Sequence, residues 1–330
     1  MKEYTIIFGV DVSKKTLDIS YLCGAVTEHK KFSNTVTGMK DLRQWITAYN
    51  CTLQNTLFCM ETTGIYCFML TKFLYDNKYD TWVEHATQIK KSMALARGKN
   101  DKIDSKRIAQ YAAKNLDRLR LFVPASTTLE KIKHLAKTRD RIIDTQSRLT
   151  VPVAEFEDVG NKEMAKLLGK SIKKTLSALE ADLKNIEKQL LDLIMKDENL
   201  CRKYASATSV IGIGFVTAVN LIVHTQGFTQ MTDVRKLACY CGVAPFEYSS
   251  GTSIKGKTKV HFMANKKLKS NLHMASLSAV KLDTDLKKYY ERKVEEGKNK
   301  MSVLNAVRNK LLARVLACVN NDKLYEKRVA

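Results

Sequence analysis

Four acidic residues are spaced as the ligands of an active centre would be. Asp11 ends a run of β-branched and aromatic residues (YTIIFGVDV), Glu61 ends a later one (TLFCMET), and Asp101 and Asp104 open a helical stretch (KNDKIDSKRIAQY). In an α/β sheet the carboxyl ends of neighbouring strands converge on one edge. Residues three apart on a helix share a face, so Asp101 and Asp104 can both turn toward that edge. Four carboxylates gathered there would repel one another and raise their own pKa values unless cations sat between them. Such an oxygen-only set suits Mg²⁺ or Mn²⁺, and two such ions about 4 Å apart clamp the attacking and leaving oxygens of a phosphodiester. Taken singly, each residue has a plainer role. Asp101 would be a helix N-cap, Asp104 a first-turn carboxylate favoured by the helix dipole, Asp11 a strand-end turn residue and Glu61 a solvated charge. Lys99, Lys102, Lys106 and Arg107 surround the helical pair and are expected to face a nucleic-acid backbone.

A second group lies far along the chain, where Ser249, Ser250, Thr252 and Ser253 cluster around one glycine in EYSSGTSIKG. A hydroxyl is a weak nucleophile until something activates it, and Ser/Gly clusters also simply build turns, so chemistry alone does not choose among the four. Between Glu247 and Asp283 there is no acidic residue but there are seven lysines. Of these, Lys255, Lys257, Lys259, Lys266 and Lys267 are candidates for phosphate contact. Upstream, the Gly-x-Gly of SVIGIGFVTA is flanked by helix-forming residues; it either offers backbone N–H groups to a phosphate or lets two helices pack closely.

The elements that must position these groups follow from periodicity. Residues 1–122 alternate strand and helix signals: YTIIFGVDV, TLDISYL and EHKKFSN as a meander, then TGMKDLRQWITAY, TLFCMET, IYCFMLTKFLYD and YDTWVEHA as helix, strand, helix and strand. This order predicts an α/β domain with a mixed sheet. Over 123–200 the strand signals vanish, and Ile172, Leu176, Leu179, Leu183, Ile186, Leu190 and Leu193 step by four and three in a heptad seam. An earlier helix (TTLEKIKHLAKTRDRIIDTQSRL) is expected to pack antiparallel to it across a break near Pro152 and Gly160, unless the seam serves a dimer instead. Residues 201–330 form a third, mostly helical domain that carries the serine cluster.

The chain of 330 residues carries 56 Lys and Arg against 34 Asp and Glu, a formal charge of +22, with 45% hydrophobic residues. A folded protein with that excess calls for a polyanionic partner, nucleic acid first. No apolar run reaches membrane-spanning length and MKEYTIIFGVDVSKK is too short in its apolar part for a signal peptide, so the chain reads as cytosolic and without a membrane partner. Eight cysteines fall without a CxxC pair, which argues for reduced thiols rather than zinc; Cys239 and Cys241 are spaced to alternate faces of a strand or loop.

The order strand one, strand four, following helix for Asp11, Glu61 and the Asp101/Asp104 pair resembles the DEDD arrangement of RuvC-type Holliday-junction resolvases in the RNase H-like superfamily. The whole chain is similar to the DEDD transposases of the insertion-sequence-one-ten family, understood as bridge-RNA-guided serine recombinases. GVDVSKKTLD, METTGIY, KNDKIDSKRIA, SVIGIGFVTA and CGVAPFEYSSGTSIKG carry the likeness in family order and spacing. The resemblance implies an RNase H-like catalytic domain, a coiled-coil linker and a helical transposase domain. It also implies Ser250 as nucleophile, forming a covalent phosphoserine beside the metal ions of the four carboxylates. Its implied partners are donor and target DNA, a structured guide RNA encoded by the element, and further copies of the chain, as a homodimer assembling into a homotetramer. It implies a bacterial host, with nucleoid association when active. Lys-Asn-Asp stands here where many relatives read Lys-Thr-Asp, FMANKK replaces their segment after the serine loop, and His85, expected to be structural, stands where they often carry Asn-Pro. The alternative reading is a structure-selective nuclease of the same fold that uses water, with Ser250 as a turn residue.

Overall fold

The computed structural model describes residues 2–49, 51–62, 64–92, 100–251 and 253–326, with Ser250, Ile254 and Lys255 described by backbone alone. They form two compact units, divided at Pro124 and Ala125.

In the first unit, β1 (Ile6–Val12), β2 (Thr16–Cys23) and β3 (Val26–Ser33) form an antiparallel meander. Then come α1 (Val36–Thr47), β4 (Thr56–Glu61), α2 (Phe68–Asp76), β5 (Asp80–Glu84), the short α3 (Ala86–Lys91) and α4 (Asp101–Lys114). The sheet order is β3-β2-β1-β4-β5, with β4 parallel to β1 and to β5. The expected mixed α/β sheet is therefore present. Strand parity divides its two faces. Phe8, Val10, Leu17, Ile19, Phe58 and Met60 point to the core closed by α1 and α2, whereas Ile7, Leu57, Cys59 and Trp82 meet Ile108, Ala109 and Ala112 of α4. Gly9 lets α4 approach closely: a Cβ there would overlap the Ser105 carbonyl oxygen and the Ala109 backbone nitrogen. Ser20 on β2 and Ser105 on α4, both buried, join hydroxyl to hydroxyl at 2.8 Å across the same contact.

The second unit begins with α5 (Thr127–Asp158) and α6 (Lys162–Lys196), a long antiparallel hairpin. The break expected near Pro152 and Gly160 comes at the glycine alone. The helix continues through this proline on an exposed stretch, where water can serve the carbonyl four residues earlier, and the turn comes at 159–161, with Gly160 at φ +81°. The seam residues Ile186 and Leu190 are buried, while Ile172, Leu176, Leu179, Leu183 and Leu193 are half-buried. Beyond lie α7 (Glu198–Thr208), α8 (Phe215–His224), α9 (Val234–Tyr240), the ribbon of β6 (Phe246–Ser250) and β7 (Ile254–Lys259), α10 (Lys266–Leu282), α11 (Thr284–Glu295) and α12 (Lys300–Asn320). Leu129 and Ile132 of α5 and Leu190 and Ile194 of α6 share one core with these helices, so the root of the hairpin is built into the C-terminal body. Cys239 and Cys241 lie on the last turn and cap of α9, not on a strand or loop, because Asp233 caps a helix that carries through them. None of the eight cysteines, all among the described residues, is joined in a disulfide.

Candidate active site

The predicted carboxylates approach one another through register. Asp11 pairs directly with Asp18 across β1 and β2, Asp18 pairs with Lys31 across β2 and β3, and Glu61 pairs with Glu84 across β4 and β5. Val10 pairs with Met60, so Asp11 and Glu61 follow one step further along their strands. One charged row thus crosses all five strands at a single edge, on the face that α4 covers. α4 begins there, with Asp101 and Asp104 in its first turn.

Asn100, not Asp101, caps this helix: its side-chain oxygen accepts from the Ile103 backbone N–H at 2.8 Å. Asp101 is thereby released from capping and its side chain is 61% exposed. Asp104 receives Arg107 Nη1 at 3.1 Å, so that arginine is drawn back onto the acidic edge. Lys102 and Lys106 are exposed on α4, and Lys99 lies outside the described residues.

Asp11 carries the electrostatic mark of the gathering. Its pKa is raised from 3.8 to about 6, first by partial burial, then by the charges of Asp101, Asp104, Glu61 and Asp18. All four expected carboxylates therefore act within one field. Asp18 and Glu84 are additions that the motif reading missed. Asp18 is 4% exposed, accepts from His29 Nε2 at 3.0 Å and meets Lys31 Nζ at 3.3 Å. Glu84 accepts from Tyr111 Oη at 3.2 Å and from the His85 backbone N–H. The signal for Asp18 was an aspartate inside a hydrophobic strand, LDIS. His85 is structural as expected, capping α3 by accepting from the Thr87 N–H.

The donor set fits a hard divalent cation in kind, being four carboxylates with one of them made costly to ionise by its burial and then by its neighbours. As placed, no three His, Cys, Asp or Glu side chains among the described residues stand tightly enough to hold an ion.

The serine cluster sits in the second unit at the tip of the β6–β7 ribbon. Ser250 is the last residue of β6 and pairs with Ile254, with Gly251 at φ +57° in the turn. Lys257 and Lys259 project from β7 into solvent, and Lys266 is exposed at the start of α10. Lys267 pairs with Asp140 of α5 at 2.9 Å. The base of the ribbon is clamped: the Asn265 N–H donates to the Tyr240 carbonyl at 2.8 Å, and Asn305 Nδ2 donates to the Val243 carbonyl at 2.8 Å. Gly212 serves packing, since a Cβ there would lie 2.7 Å from the Ala275 carbonyl oxygen of α10. A Cβ on Gly214 would meet nothing, which leaves the start of α8 open.

A mixed sheet in this order, with carboxylates meeting at one edge beneath a helix, agrees with the RNase H-like layout of enzymes that process nucleic-acid backbones. Sequence comparison narrows the class. A DEDD-type family model described as "Transposase" matches residues 8–155, and another, "Transposase IS116/IS110/IS902 family", matches residues 205–291. The chain belongs to the IS110 family of transposases. Over 332 residues it is 24% identical to the pilin gene-inverting proteins of Moraxella bovis and Moraxella lacunata, a match covering 97% of this chain and 98% of each relative. Over 122 residues it is 30% identical to an uncharacterized 43.6 kDa protein of insertion element IS110 in Streptomyces coelicolor, a match covering 37% of this chain and 30% of that one. Among the described residues no helix is long and apolar enough to cross a membrane.

Proposed function

We propose that this transposase cuts and rejoins DNA through a phosphoserine at Ser250, with Asp11, Glu61, Asp101 and Asp104 as the acidic half of the same active site. The observation that carries the reading is the register that sets Asp11 and Glu61 at one sheet edge, where α4 begins with Asp101 and Asp104 in its first turn. Asp11, Glu61, Asp101 and Asp104 would hold Mg²⁺ or Mn²⁺, which when bound supplies positive charge for the phosphodiester and for an ionising hydroxyl. The Ser250 oxygen attacks phosphorus, the bond to one deoxyribose oxygen breaks, and that oxygen leaves as a hydroxyl after taking a proton. The serine ester keeps the bond energy, so a second DNA hydroxyl can displace Ser250 and reseal the strand without ATP. Two relatives named for inverting a gene favour this over hydrolysis, because an inverted segment has to be rejoined at both ends.

Lys102, Lys106, Lys255, Lys257, Lys259, Lys266 and Lys267 contribute to binding DNA phosphates, and donor and target DNA are the substrates. A structured RNA encoded by the element selects both. The half-buried outer seam of α6 supports a homodimer, and two dimers form the working tetramer.

The test is incubation of the protein and the element's RNA with end-labelled DNA carrying the element's junction, and Mg²⁺, followed by denaturing electrophoresis. A protein-linked DNA band is expected for the wild type, lost in both Ser250→Ala and Asp11→Ala, with Ser249→Ala and Ser253→Ala retaining it. Cleavage without an adduct, preserved in Ser250→Ala, would assign the protein to water-using nucleases instead.

A further inference from the structure

Lys31 has no part in the scheme above, yet it stands in the charged row. It is the β3 partner of Asp18, which in turn is the β2 partner of Asp11. Asp18 is buried, and a buried carboxylate needs its oxygens satisfied. His29 serves Oδ1 at 3.0 Å and Lys31 reaches Oδ2 at 3.3 Å, so both oxygens are engaged from the β3 side. Asp18 is therefore already engaged by side chains of β3, not a spare ligand. From that anchorage the Lys31 ammonium also lies 4.0 Å from Asp101 Oδ2, on the first turn of α4.

We infer that Lys31 is the resident counter-charge of the acidic edge, a positioning residue that links Asp18 on the sheet to Asp101 on the helix until a divalent ion takes over Asp101. The inference rests on the metal reading given above. Its two contacts are unequal in the way such a role requires. The Asp18 end is anchored on a buried group, whereas Lys31 and Asp101 are 53% and 61% exposed and meet at the outer limit of an ion pair. A contact of that kind is screened by water and cheap to break. Lysine suits the task, since its charge is compact and its stem flexible, whereas a guanidinium would bind a carboxylate in a fixed two-pronged geometry. While Lys31 stays, its charge opposes an incoming dication across a few ångströms.

The experiment is titration of the full chain with Mn²⁺ in the absence of DNA, with free ion followed by electron paramagnetic resonance. Lys31→Met, which keeps the stem and removes the charge, is expected to bind Mn²⁺ roughly three- to tenfold more tightly than the wild type, the size of one charge acting on a dication in a largely aqueous setting. Lys31→Arg is expected to stay within about twofold of the wild type, because it keeps the charge. Ion-free Lys31→Met should also melt below the wild type, with the gap closing at saturating Mn²⁺. Unchanged or weaker binding by Lys31→Met overturns the role of Lys31. If that result comes with binding that Asp11→Asn abolishes, the metal reading stands and only Lys31 is dismissed. If the wild type takes up no Mn²⁺ at millimolar concentration, both readings fall together.

Discussion

Asp11 holds its proton to about pH 6 because it is half-withdrawn from water beside like charges, and this has a sign that can be measured. The unfolded chain releases that proton near the ordinary value of 3.8, so between about pH 4 and pH 6 the folded state holds more of it than the unfolded state does. Stability from this group is then lost as pH rises through that window, and the full cost is reached above it. In metal-free protein, thermal unfolding should show the melting temperature of Asp11→Asn gaining on that of the wild type from pH 4 to pH 6 and holding a constant lead beyond. A lead that shrinks over the same range would show that Asp11 is not opposed by its neighbours. The four catalytic candidates were legible one by one from strand ends and from the i, i+3 spacing. Asp18, Glu84 and Lys31 were not, because membership of the row depends on cross-strand register, which hydrophobic alternation alone leaves open by steps of two. Nor was the capping role of Asn100 read, since Asn and Asp are nearly equivalent caps and adjoin here.

At the scale of elements, the edge depends on how closely α4 lies against β1. Gly9→Ala places a methyl group against the backbone of Ser105 and Ala109, atoms that cannot swing aside. The expected loss is about 3 kcal/mol or more of stability, beyond ordinary overpacking because the obstacle is main chain. Chemical denaturation would measure it, and metal uptake should fall with it as Asp101 and Asp104 are pushed off the sheet. A change below about 0.5 kcal/mol would mean that helix and strand are not in close contact. Strands and long helices were readable here because β1 and β4 are continuous apolar runs buried on both faces and α6 keeps its heptad. Two features escaped. Helix α3 has only six residues, too few to show a period, and Pro152 breaks nothing because its missing hydrogen bond falls on an exposed flank.

Over the whole molecule, most of the positive excess belongs to the second unit, so that unit is expected to supply the greater part of non-specific DNA affinity. Binding measured by fluorescence anisotropy should weaken steeply with salt, and Lys257→Ala should lower the slope of log K against log salt by about 1, with a similar loss on any sequence. An unchanged slope would remove Lys257 from the DNA surface. The ribbon that bears Ser250 has a consequence of another kind. The described side chains of β6 and β7 lie open to water, and two strands alone are marginal in solution. On the proposed mechanism, a hydroxyl mounted on so slender an arm would come into working order only where a sister chain completes its surroundings. Idle copies of the enzyme would therefore leave chance-met DNA uncut, a restraint set by architecture and needing no inhibitor.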